Sequence, residues 1–328
     1  MSAPELPGLA GTGHRTDGST ALRRLGAGLG AATAAGIGVL GAAHAATHHF
    51  RLRRETLPLL PPGSADLTLL HLSDIHMIPG QDVKTAWLRS LAELRPDLVV
   101  NTGDNLSHRR GVDALLTALE PLLAFPGVFV PGSNCYFAPR MKSPLRYLSR
   151  SKAPGAGAKH APQDELDWRR MHRAFAEAGW ANATNRAFSL PLGRLRLDIS
   201  GVDDPHLHLD RFPGWPTGSA TSGSSPHLRL ALTHAPYRGV LDAFTRTGAD
   251  LILAGHTHGG QVDVPRYGAL VSNCDLPTGL ASGLNWWGAA GRRVPVNVSA
   301  GLGTSRVAQY RVACPPEAIL ITLTARSL

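Results

Sequence analysis

Cysteine is scarce in this chain of 328 residues. Only Cys135, Cys274 and Cys314 occur, and no two of them are spaced as C-x-x-C. This excludes a disulfide framework and a cysteine-based zinc site, and the odd number leaves at least one thiol free. Aromatic residues (6%) and charged residues (17%) are also few, against 43% hydrophobic residues. These proportions exclude a disordered chain and predict a globular protein of one large domain or two ordinary ones.

Acidic residues are outnumbered by basic ones, and the formal net charge is +9. Such a charge suits an anionic partner, which can be nucleic acid, a membrane surface or a small substrate. The basic residues are scattered, however, with no long run and few aromatic residues beside them. We therefore interpret the charge as a source of solubility and of attraction for anions, and we expect no nucleic-acid partner.

The N-terminal part contains one long uncharged segment. Residues 25–46 are rich in Ala and Gly, and the segment is long enough for a helix to cross a bilayer, which takes about 20 residues. Arg23 and Arg24 precede it and Ala43-His44-Ala45 resembles a cleavage site, as in a twin-arginine export signal. An uncleaved anchor and a cytoplasmic Ala-rich helix fit the same segment. Basic residues flank both ends, so their distribution gives no orientation.

These features divide the chain into four parts. We predict a polar segment (1–24), a hydrophobic signal or anchor (25–46), a linker containing Pro and Gly (47–66) and a catalytic domain (67–328). The hydrophobic segment predicts a protein that is exported or held at the cell membrane, with its catalytic domain outside the cytoplasm. We expect the chain to be a monomer.

Short apolar runs bounded by turn residues predict β-strands along the whole catalytic domain. They cover residues 67–72, 97–100, 127–130, 195–202, 228–233, 250–254, 269–272, 295–300 and 318–323. Helical patterns at 83–94 and 112–124 separate the first three strands, which predicts parallel pairing there. The later strands follow one another with short loops, which predicts antiparallel pairing. The fold class is therefore α/β, a sandwich with mixed sheets, and long surface loops are predicted at 149–163 and 212–226.

Polar side chains follow five of these strands at the point where each strand ends. They are, strand by strand, Asp74 and His76, then Asp104, Asn134, His234, and finally His256 with His258. Ligands of open α/β sheets bind at the carboxyl ends of the strands, so these side chains predict one common site. In "GHTHGGQ", successive side chains of an extended backbone point to opposite sides, so His256 and His258 are predicted to point to the same side.

The side chains of this set are typical metal ligands. Carboxylate, imidazole and amide oxygen bind Zn, Mn or Fe, and a carboxylate can bridge two ions. Two divalent cations about 3.5 to 4 Å apart clamp a phosphoryl group and hold a deprotonated water for in-line attack. Their charge exceeds that of Asp74 and Asp104, so the site would attract an anionic phosphate ester. The pattern predicts a phosphoesterase with two divalent metal ions, which are Mn, Fe or Zn.

The motifs "HLSDIHM", "NTGDN" and "GHTHGGQ", in this order, resemble those of the calcineurin-like metallophosphoesterase superfamily, in particular its bacterial membrane-tethered or exported members. The resemblance extends from about residue 50 to the C-terminus. It implies a four-layer sandwich of two mixed β-sheets flanked by helices. It also implies two metal sites bridged by Asp104, one formed by Asp74, His76 and His258 and the other by Asn134, His234 and His256.

The turn after the third strand departs from the family pattern. The family has G-N-H-D or G-N-H-E, in which Asn binds metal and His helps to protonate the leaving group, whereas this chain has "GSNCY". With Gly132 in register, Ser133 takes the ligand position and Asn134 that of the histidine. A shift of one residue makes Asn134 the ligand and places Cys135 where the histidine would be. An amide oxygen is the better ligand, which favours the shift. In both cases the histidine is absent, and His108 is a candidate to replace it.

Three further residues are candidates for substrate binding, namely Asn105, Asp204 and His206. The last two follow the strand predicted at 195–202. Two other functions stay open. The absent histidine is compatible with a non-catalytic phosphate-binding scaffold of the same fold, and the positive charge is compatible with a nuclease. The loops carry no signature of a particular substrate.

Overall fold

The structure, a computed structural model, describes residues 33, 36–139, 162–217, 227–264, 266–304 and 309–327. The chain divides into two compact units, Met1–Ala42 and Ala43–Leu328. Of the first unit, residues 36–42 are described as helical. Within the described ranges, no helix is long and apolar enough to span a membrane. Much of the predicted signal or anchor lies outside those ranges, namely residues 25–32, 34 and 35, and so do most residues of the two predicted surface loops.

The second unit alternates strands and helices along its first half and is rich in strands along its second half. Its strands are β1 (Arg51–Leu60), β2 (Leu67–Leu72), β3 (Leu98–Asn101), β4 (Gly127–Phe129), β5 (Ala181–Asn182), β6 (Arg186–Leu192), β7 (Leu195–Gly201), β8 (His227–Leu232), β9 (Leu251–Ala254), β10 (Asp263–Val264), β11 (Gly268–Ala269), β12 (Gly283–Ala289), β13 (Arg292–Val298) and β14 (Glu317–Ala325). Its helices are α1 (Asp82–Ser90), α2 (Gly111–Leu119), α3 (Ser133–Tyr136), α4 (Trp168–Glu177) and α5 (Arg238–Arg246).

The strands form two six-stranded sheets and one small hairpin. The first sheet has the order β1-β14-β2-β3-β4-β5 and the second has the order β12-β13-β9-β8-β7-β6, while β10 pairs with β11. In the first sheet, β2 to β5 are parallel and β14 is antiparallel to β2. In the second, β7, β8, β9 and β13 are parallel, and β6 and β12 are antiparallel edge strands. Both sheets are therefore mixed.

Three apolar cores separate four layers. The inner faces of the two sheets pack against each other through residues such as Leu69 and Leu230. The outer face of the first sheet packs on α1, α2 and α4, through Leu115 and Phe175 among others. The outer face of the second sheet packs on α5 through Phe244. Strands buried on both faces have continuous apolar sequences. The predicted fold, a sandwich of two mixed sheets flanked by helices, is confirmed.

The pairing of the later strands differs from the prediction. Antiparallel pairing is wrong for β7, β8, β9 and β13, which lie parallel in the second sheet. For β8 and β9 the physical reason is that α5, whose pattern was missed, returns the chain from the end of β8 to the start of β9, and such a crossover makes neighbouring strands parallel. The strand predicted at 269–272 is also shorter than expected, since only Gly268–Ala269 pairs there.

The segment predicted as a linker, 47–66, contains the strand β1. Arg51–Leu60 pairs in parallel with β14 at the edge of the first sheet. The linker prediction is therefore wrong for these residues. An edge strand exposes many of its side chains, and here only Leu57 and Leu60 are buried. The charged residues of "RLRRETLPLL" therefore interrupt the apolar pattern from which a strand would be predicted.

Glu317 in β14 is a buried carboxylate that connects β1 to the sheet. It accepts hydrogen bonds from the guanidinium groups of Arg51 at 2.7 Å and Arg53 at 3.2 Å. The backbone N–H of Ala300 donates to it at 3.1 Å. Burial alone would raise the pKa of Glu317, but the charge and hydrogen bonds of Arg53 outweigh burial, and the pKa lies below its ordinary value. Glu317 is therefore ionised in the folded protein.

We predict that Glu317→Gln lowers the free energy of unfolding by about 3 kcal/mol at neutral pH, because removing one partner of a buried ion pair leaves the other uncompensated. Since folding depresses the pKa of Glu317, its contribution is full above about pH 4.3 and is lost as the pH falls through the folded-state pKa. Urea unfolding of both proteins across this range checks the prediction. Glu120→Gln is the control, because Glu120 pairs with Arg89 on the surface. A difference that persists unchanged in acid would contradict the assignment.

Candidate metal centre

The predicted ligands meet where strands of both sheets end. Asp74 and His76 follow β2, Asp104 follows β3, Asn134 lies in α3 after β4, His234 follows β8, and His256 and His258 follow β9. All of them except Asn134 are buried. Because β2, β3 and β4 are parallel, as are β8 and β9, their carboxyl ends lie at one edge of each sheet. The fold thus positions the ligand candidates at the place expected for an α/β site.

Five of these residues have a left-handed backbone conformation. The φ angle is 50° at Asp74, 46° at His76, 52° at Asp104, 71° at His256 and 52° at His258. Residues with a Cβ rarely adopt such angles, and backbone strain of this kind is concentrated at functional sites. The loops after β2 and β3 hold each other in place, since the His76 N–H donates to the carbonyl oxygen of Asp104 at 2.9 Å. The strained turns direct the side chains to a common point.

Asp74, His76 and His258 form the first cluster. The Nε2 atoms of the two histidines lie 3.2 Å apart, and Nε2 of His258 lies 3.5 Å from Oδ1 of Asp74. The opposite ring nitrogens are held from behind, because Nδ1 of His76 lies 2.8 Å from the hydroxyl of Ser107 and Nδ1 of His258 lies 3.1 Å from the carbonyl oxygen of Gly303. Such contacts fix the orientation of imidazoles that bind metals.

Asp104, His234 and His256 form the second cluster. Oδ1 of Asp104 lies 3.3 Å from Nε2 of His234, which in turn lies 3.3 Å from Nδ1 of His256. Nδ1 of His234 lies 2.7 Å from the carbonyl oxygen of Thr102. The other carboxylate oxygen of Asp104, Oδ2, lies 3.6 Å from Nε2 of His76 in the first cluster. Asp104 therefore faces both clusters, one oxygen towards each.

Burial keeps most of the imidazoles neutral. It lowers the pKa of His76 and of His258 to about 4, and that of His256 well below the usual value. Burial acts in the same direction on His234, but the nearby Asp104 carboxylate outweighs it and raises the pKa of His234 to about 10. Burial would raise the pKa of Asp104, yet His234 and the other histidines hold it well below its ordinary range.

This donor set fits divalent metal ions. Neutral imidazole and ionised carboxylate are the forms that bind metals. Two groups have ligand atoms within 4.8 Å of one another, namely Asp74, His76 and His258, and Asp74, Asp104 and His234. The carboxylate charge that favours a proton on His234 would equally favour a cation beside Asp104. Mixed nitrogen and oxygen donors suit Zn, Mn or Fe, and the absence of cysteine among them disfavours a site for soft metals.

Comparison with known proteins identifies the family of the chain. A family model described as calcineurin-like phosphoesterase matches residues 67–260. The chain belongs to the calcineurin-like phosphoesterase family. The matched range is more than half of the chain and includes all seven ligand candidates. The family makes the protein a metal-dependent hydrolase of phosphate esters, as the sequence motifs predicted.

Relatives of the chain include proteins from bacteria and animals. The uncharacterized metallophosphoesterase YkoQ of Bacillus subtilis is 26% identical over 261 residues, which are 78% of this chain and 83% of that protein. A transmembrane protein with metallophosphoesterase domain of Bos taurus is 26% identical over 62% of this chain and 43% of its own length. Among solved structures, purple acid phosphatase PPD1 of yellow lupin has a TM-score of 0.35 and 16% identity, over 60% of this chain and 39% of that one. The chain spans less than half the length of these last two proteins.

Two glycines of the family site make room for its carboxylates. A Cβ atom on Gly255 would overlap the hydroxyl of Ser73 and Oδ2 of Asp74. A Cβ atom on Gly132 would overlap Oδ1 of Asp104 and the His234 ring. At both positions there is space for a hydrogen atom but not for a side chain. Glycine therefore lets the turns after β4 and β9 approach the carboxylates more closely than any other residue type would permit.

The turn that departs from the family pattern forms the short helix α3. The backbone N–H of Asn134 donates to Oδ1 of Asp104 at 2.7 Å, and its side-chain NH₂ group donates to the carbonyl oxygen of Phe137 at 3.0 Å. Cys135 is buried and accepts a hydrogen bond from the Asn105 amide at 3.7 Å. Burial raises the pKa of the Cys135 thiol to about 12. The thiol is therefore neutral and does not reproduce the chemistry of the histidine found in the family.

The remaining predicted residues lie in different surroundings. The His206 ring lies 5.0 Å from the His256 ring and 3.1 Å from the hydroxyl of Tyr237. Asp204 is buried, and burial raises its pKa to about 7. The Asn105 amide pairs with that of Asn101 at 2.8 and 3.0 Å. His108 is partly exposed and accepts a hydrogen bond from the backbone of its own loop.

Arg311 is a buried cation beside the site that sequence analysis missed. Its guanidinium donates to four carbonyl oxygens, those of Ala300, Gly301, Gly303 and Cys314, at 2.7 to 3.1 Å. Gly303 is also the residue that holds Nδ1 of His258. Arg311 therefore positions the loop that orients this histidine. The sequence contains no signal for it, because the role depends on contacts that only the folded chain creates.

Proposed function

We propose that the protein is a binuclear enzyme that hydrolyses phosphomonoesters or phosphodiesters. In this proposal Asp104 bridges two Mn, Fe or Zn ions, one held by Asp74, His76 and His258 and the other by Asn134, His234 and His256. The observation that carries the proposal is the position of Asp104, whose two carboxylate oxygens face histidines of different clusters. Seven buried or half-buried polar groups have no structural reason to converge unless they share cations.

Bound divalent ions would polarise the phosphoryl group and lower the pKa of a water molecule that attacks it. The protein's own residues supply orientation. Ser107, Thr102 and Gly303 hold the rear nitrogens of the histidines, so the other nitrogens stay directed at the ions. The fixed ligands need no rearrangement during the reaction, which is the main way in which an enzyme stabilises developing charge.

The substrate side of the centre is bordered by Asp204 and His206 in this proposal. His206 lies against the ligand candidate His256 and is held by Tyr237. One oxygen of Asp204, Oδ2, is buried without a hydrogen-bond partner among the described residues. Such an atom is costly to bury unless a ligand completes its bonding. The side-chain amide of Asn105 forms hydrogen bonds with Asn101 and Cys135. In this proposal Asn105 therefore supports the loop that carries Asp104 and does not bind substrate.

Asn134 is the proposed oxygen ligand from the altered turn. Its NH₂ group donates a hydrogen bond to the carbonyl oxygen of Phe137. The amide oxygen is therefore the side-chain atom that is available to bind a cation. We predict that Asn134→Ala removes most of the second metal ion and leaves the first in place. Metal analysis of the two proteins measures this, and Asn182→Ala is the control, since Asn182 lies in β5 and caps Thr184. If both ions stay bound and only turnover falls, Asn134 occupies the position of the absent histidine instead.

The absent histidine predicts a dependence on the leaving group. A general acid that protonates the leaving group typically accelerates a reaction by roughly 10² to 10⁴. Without this acid, the enzyme should hydrolyse fastest those esters whose leaving group can depart without a proton. We expect aryl monoesters and diesters to be hydrolysed much faster than alkyl esters. Rates for a series of leaving groups of increasing pKa test this and the proposed activity together. A flat dependence would show that another residue supplies the proton, and His108→Ala is the first variant to examine. No turnover of any ester by metal-loaded protein would refute the proposed function.

We further propose that the catalytic unit acts as a monomer outside the cytoplasm, tethered or released through residues 25–46. Arg23 and Arg24 before a weakly apolar segment support the twin-arginine route. Replacing both arginines by lysine is expected to retain the protein inside the cell, as measured by fractionation. Native protein found wholly in the cytoplasmic fraction would contradict this location.

A further inference from the structure

Exposed apolar side chains are concentrated at one place on the second unit. Among its described residues, eight large apolar side chains are exposed, and five of these lie on the β10–β11 hairpin or beside it. We call them the hairpin patch: Val264, Tyr267, Leu270, Tyr310 and Val312. The largest exposure is that of Tyr267, at 75%. Single exposed apolar residues are ordinary on a protein surface, whereas contiguous apolar patches are characteristic of interaction sites.

Backbone hydrogen bonds join the segments that carry the hairpin patch. The N–H of Asp263 donates to the carbonyl oxygen of Val312 at 2.9 Å, and the N–H of Val312 donates to that of Gln261 at 2.9 Å. Strand β10 then pairs with β11 on its other side. The N–H of Tyr267 donates to Val264 across the turn at 2.9 Å. The segment 309–312 and the hairpin thus form a small sheet with apolar side chains along its length.

Ala43 and His44, the first residues of the second unit, lie beside this surface. The backbone N–H of Arg311 donates to the carbonyl oxygen of Ala43 at 2.9 Å. Nδ1 of His44 lies 3.1 Å from the carbonyl oxygen of Gln309. Ala43 and His44 are also among the last residues of the predicted hydrophobic segment, 25–46. These residues are therefore held against the segment 309–311 of the small sheet.

The chemistry of the hairpin patch suits an anionic lipid surface. Tyrosine combines an apolar ring with a polar hydroxyl and is enriched where membranes meet water. Arg266 is exposed in the hairpin turn next to Tyr267. Arg51, half of whose side chain is exposed, interacts electrostatically with Asp263 at the start of the hairpin. Basic residues at such a surface are attracted to anionic headgroups, and the net charge of +9 acts in the same direction.

We propose that the hairpin patch docks on an anionic lipid bilayer, with Tyr267, Leu270 and Tyr310 in contact with lipid. This inference rests on the proposed membrane anchor. The turn His258–Gly260 leads directly into the hairpin, and Gly260 packs so closely on Ala269 that a Cβ atom would overlap it. The docked hairpin therefore adjoins the turn that carries the ligand candidate His258.

The test places a fluorescent probe on the full chain through Tyr267→Cys and, as a matched control, through Trp286→Cys. Trp286 is an exposed aromatic residue on the edge strand β12, outside the hairpin patch. Both labelled proteins are reconstituted with phosphatidylcholine vesicles, with and without phosphatidylglycerol, and recovered by flotation. A lipid-borne quencher then reports contact with the bilayer. Labelled wild-type protein gives the background from Cys135, Cys274 and Cys314.

We expect quenching at position 267 to exceed that at position 286 by about twofold or more, because an interfacial segment buries its apolar face about 5 to 10 Å into the boundary between headgroups and acyl chains. Anionic lipid should increase the difference. Equal quenching at the two positions of vesicle-bound protein would overturn docking while leaving the anchor proposal intact. Protein that does not float with vesicles of either composition would overturn both.

Discussion

Asp104→Asn is expected to lower phosphoesterase activity more than a hundredfold and to reduce the content of both metal ions. Residues that only orient metal ligands typically contribute about 10 to 100-fold to affinity or activity, so the loss of a bridging ligand should exceed that range. The carboxylate of Asp104 also accepts the backbone N–H of Asn134, and its negative charge raises the pKa of His234. A neutral amide cannot perform either electrostatic role at full strength.

The variant Asp74→Asn distinguishes the loss of a bridging carboxylate from the loss of any buried carboxylate at the site. Asp74 is equally buried, and its oxygens accept hydrogen bonds from Ser73 and from the backbone of His256. It serves one ion in the proposed arrangement, so its loss should leave part of the second metal bound. Metal content and turnover of both variants are measured on protein whose far-ultraviolet circular dichroism matches that of the wild type. Two retained metals and full activity in Asp104→Asn would show that the bridge is misassigned.

Gly255→Ala is expected to abolish most activity although it adds a single methyl group. The new Cβ atom would meet the hydroxyl of Ser73 and Oδ2 of Asp74, at distances that no relaxed structure contains. The carboxylate must shift, and a displacement of about 1 Å can reduce a rate by about a hundredfold. Gly255 does not have a positive φ, so the effect comes from the contact and not from backbone strain.

Gly239→Ala is the matched control for this substitution. Gly239 lies in α5, and a Cβ atom there would contact nothing within 4 Å. Alanine is favoured over glycine in a helix by about 1 kcal/mol, so the control should be fully active and no less stable than the wild type. Metal binding and turnover of Gly255→Ala at the wild-type level would mean that the carboxylate of Asp74 does not need its observed position.

Sequence patterns predict where the strands end better than they predict how the strands pair. Asp74, Asp104 and His234 each follow a short apolar run, and both the run and its end are local features of the chain. The partners of a strand are not local. The parallel pairing of β8 with β9 depends on a crossover through α5, and the edge strand β1 has the composition of a linker because charged residues cover its exposed face.

The residues that hold the ligands in place were beyond sequence analysis for the same reason. Ser107 holds His76 through its hydroxyl, and Thr102 holds His234 through its backbone carbonyl oxygen. Nothing in the sequence around either residue indicates these contacts. Arg311 contacts a loop whose relation to His258 exists only in the folded chain. Ligand types are visible in a sequence, whereas the contacts that orient them are properties of the packing.

The metal content of active protein tests the central claim most directly. Elemental analysis of purified full-length protein, with turnover of an aryl phosphate ester measured on the same sample, is predicted to find two Mn, Fe or Zn ions per chain. Chelation should remove the ions and the activity together, and adding the ion back should restore both. Active protein that contains no more than a trace of transition metal would contradict the account.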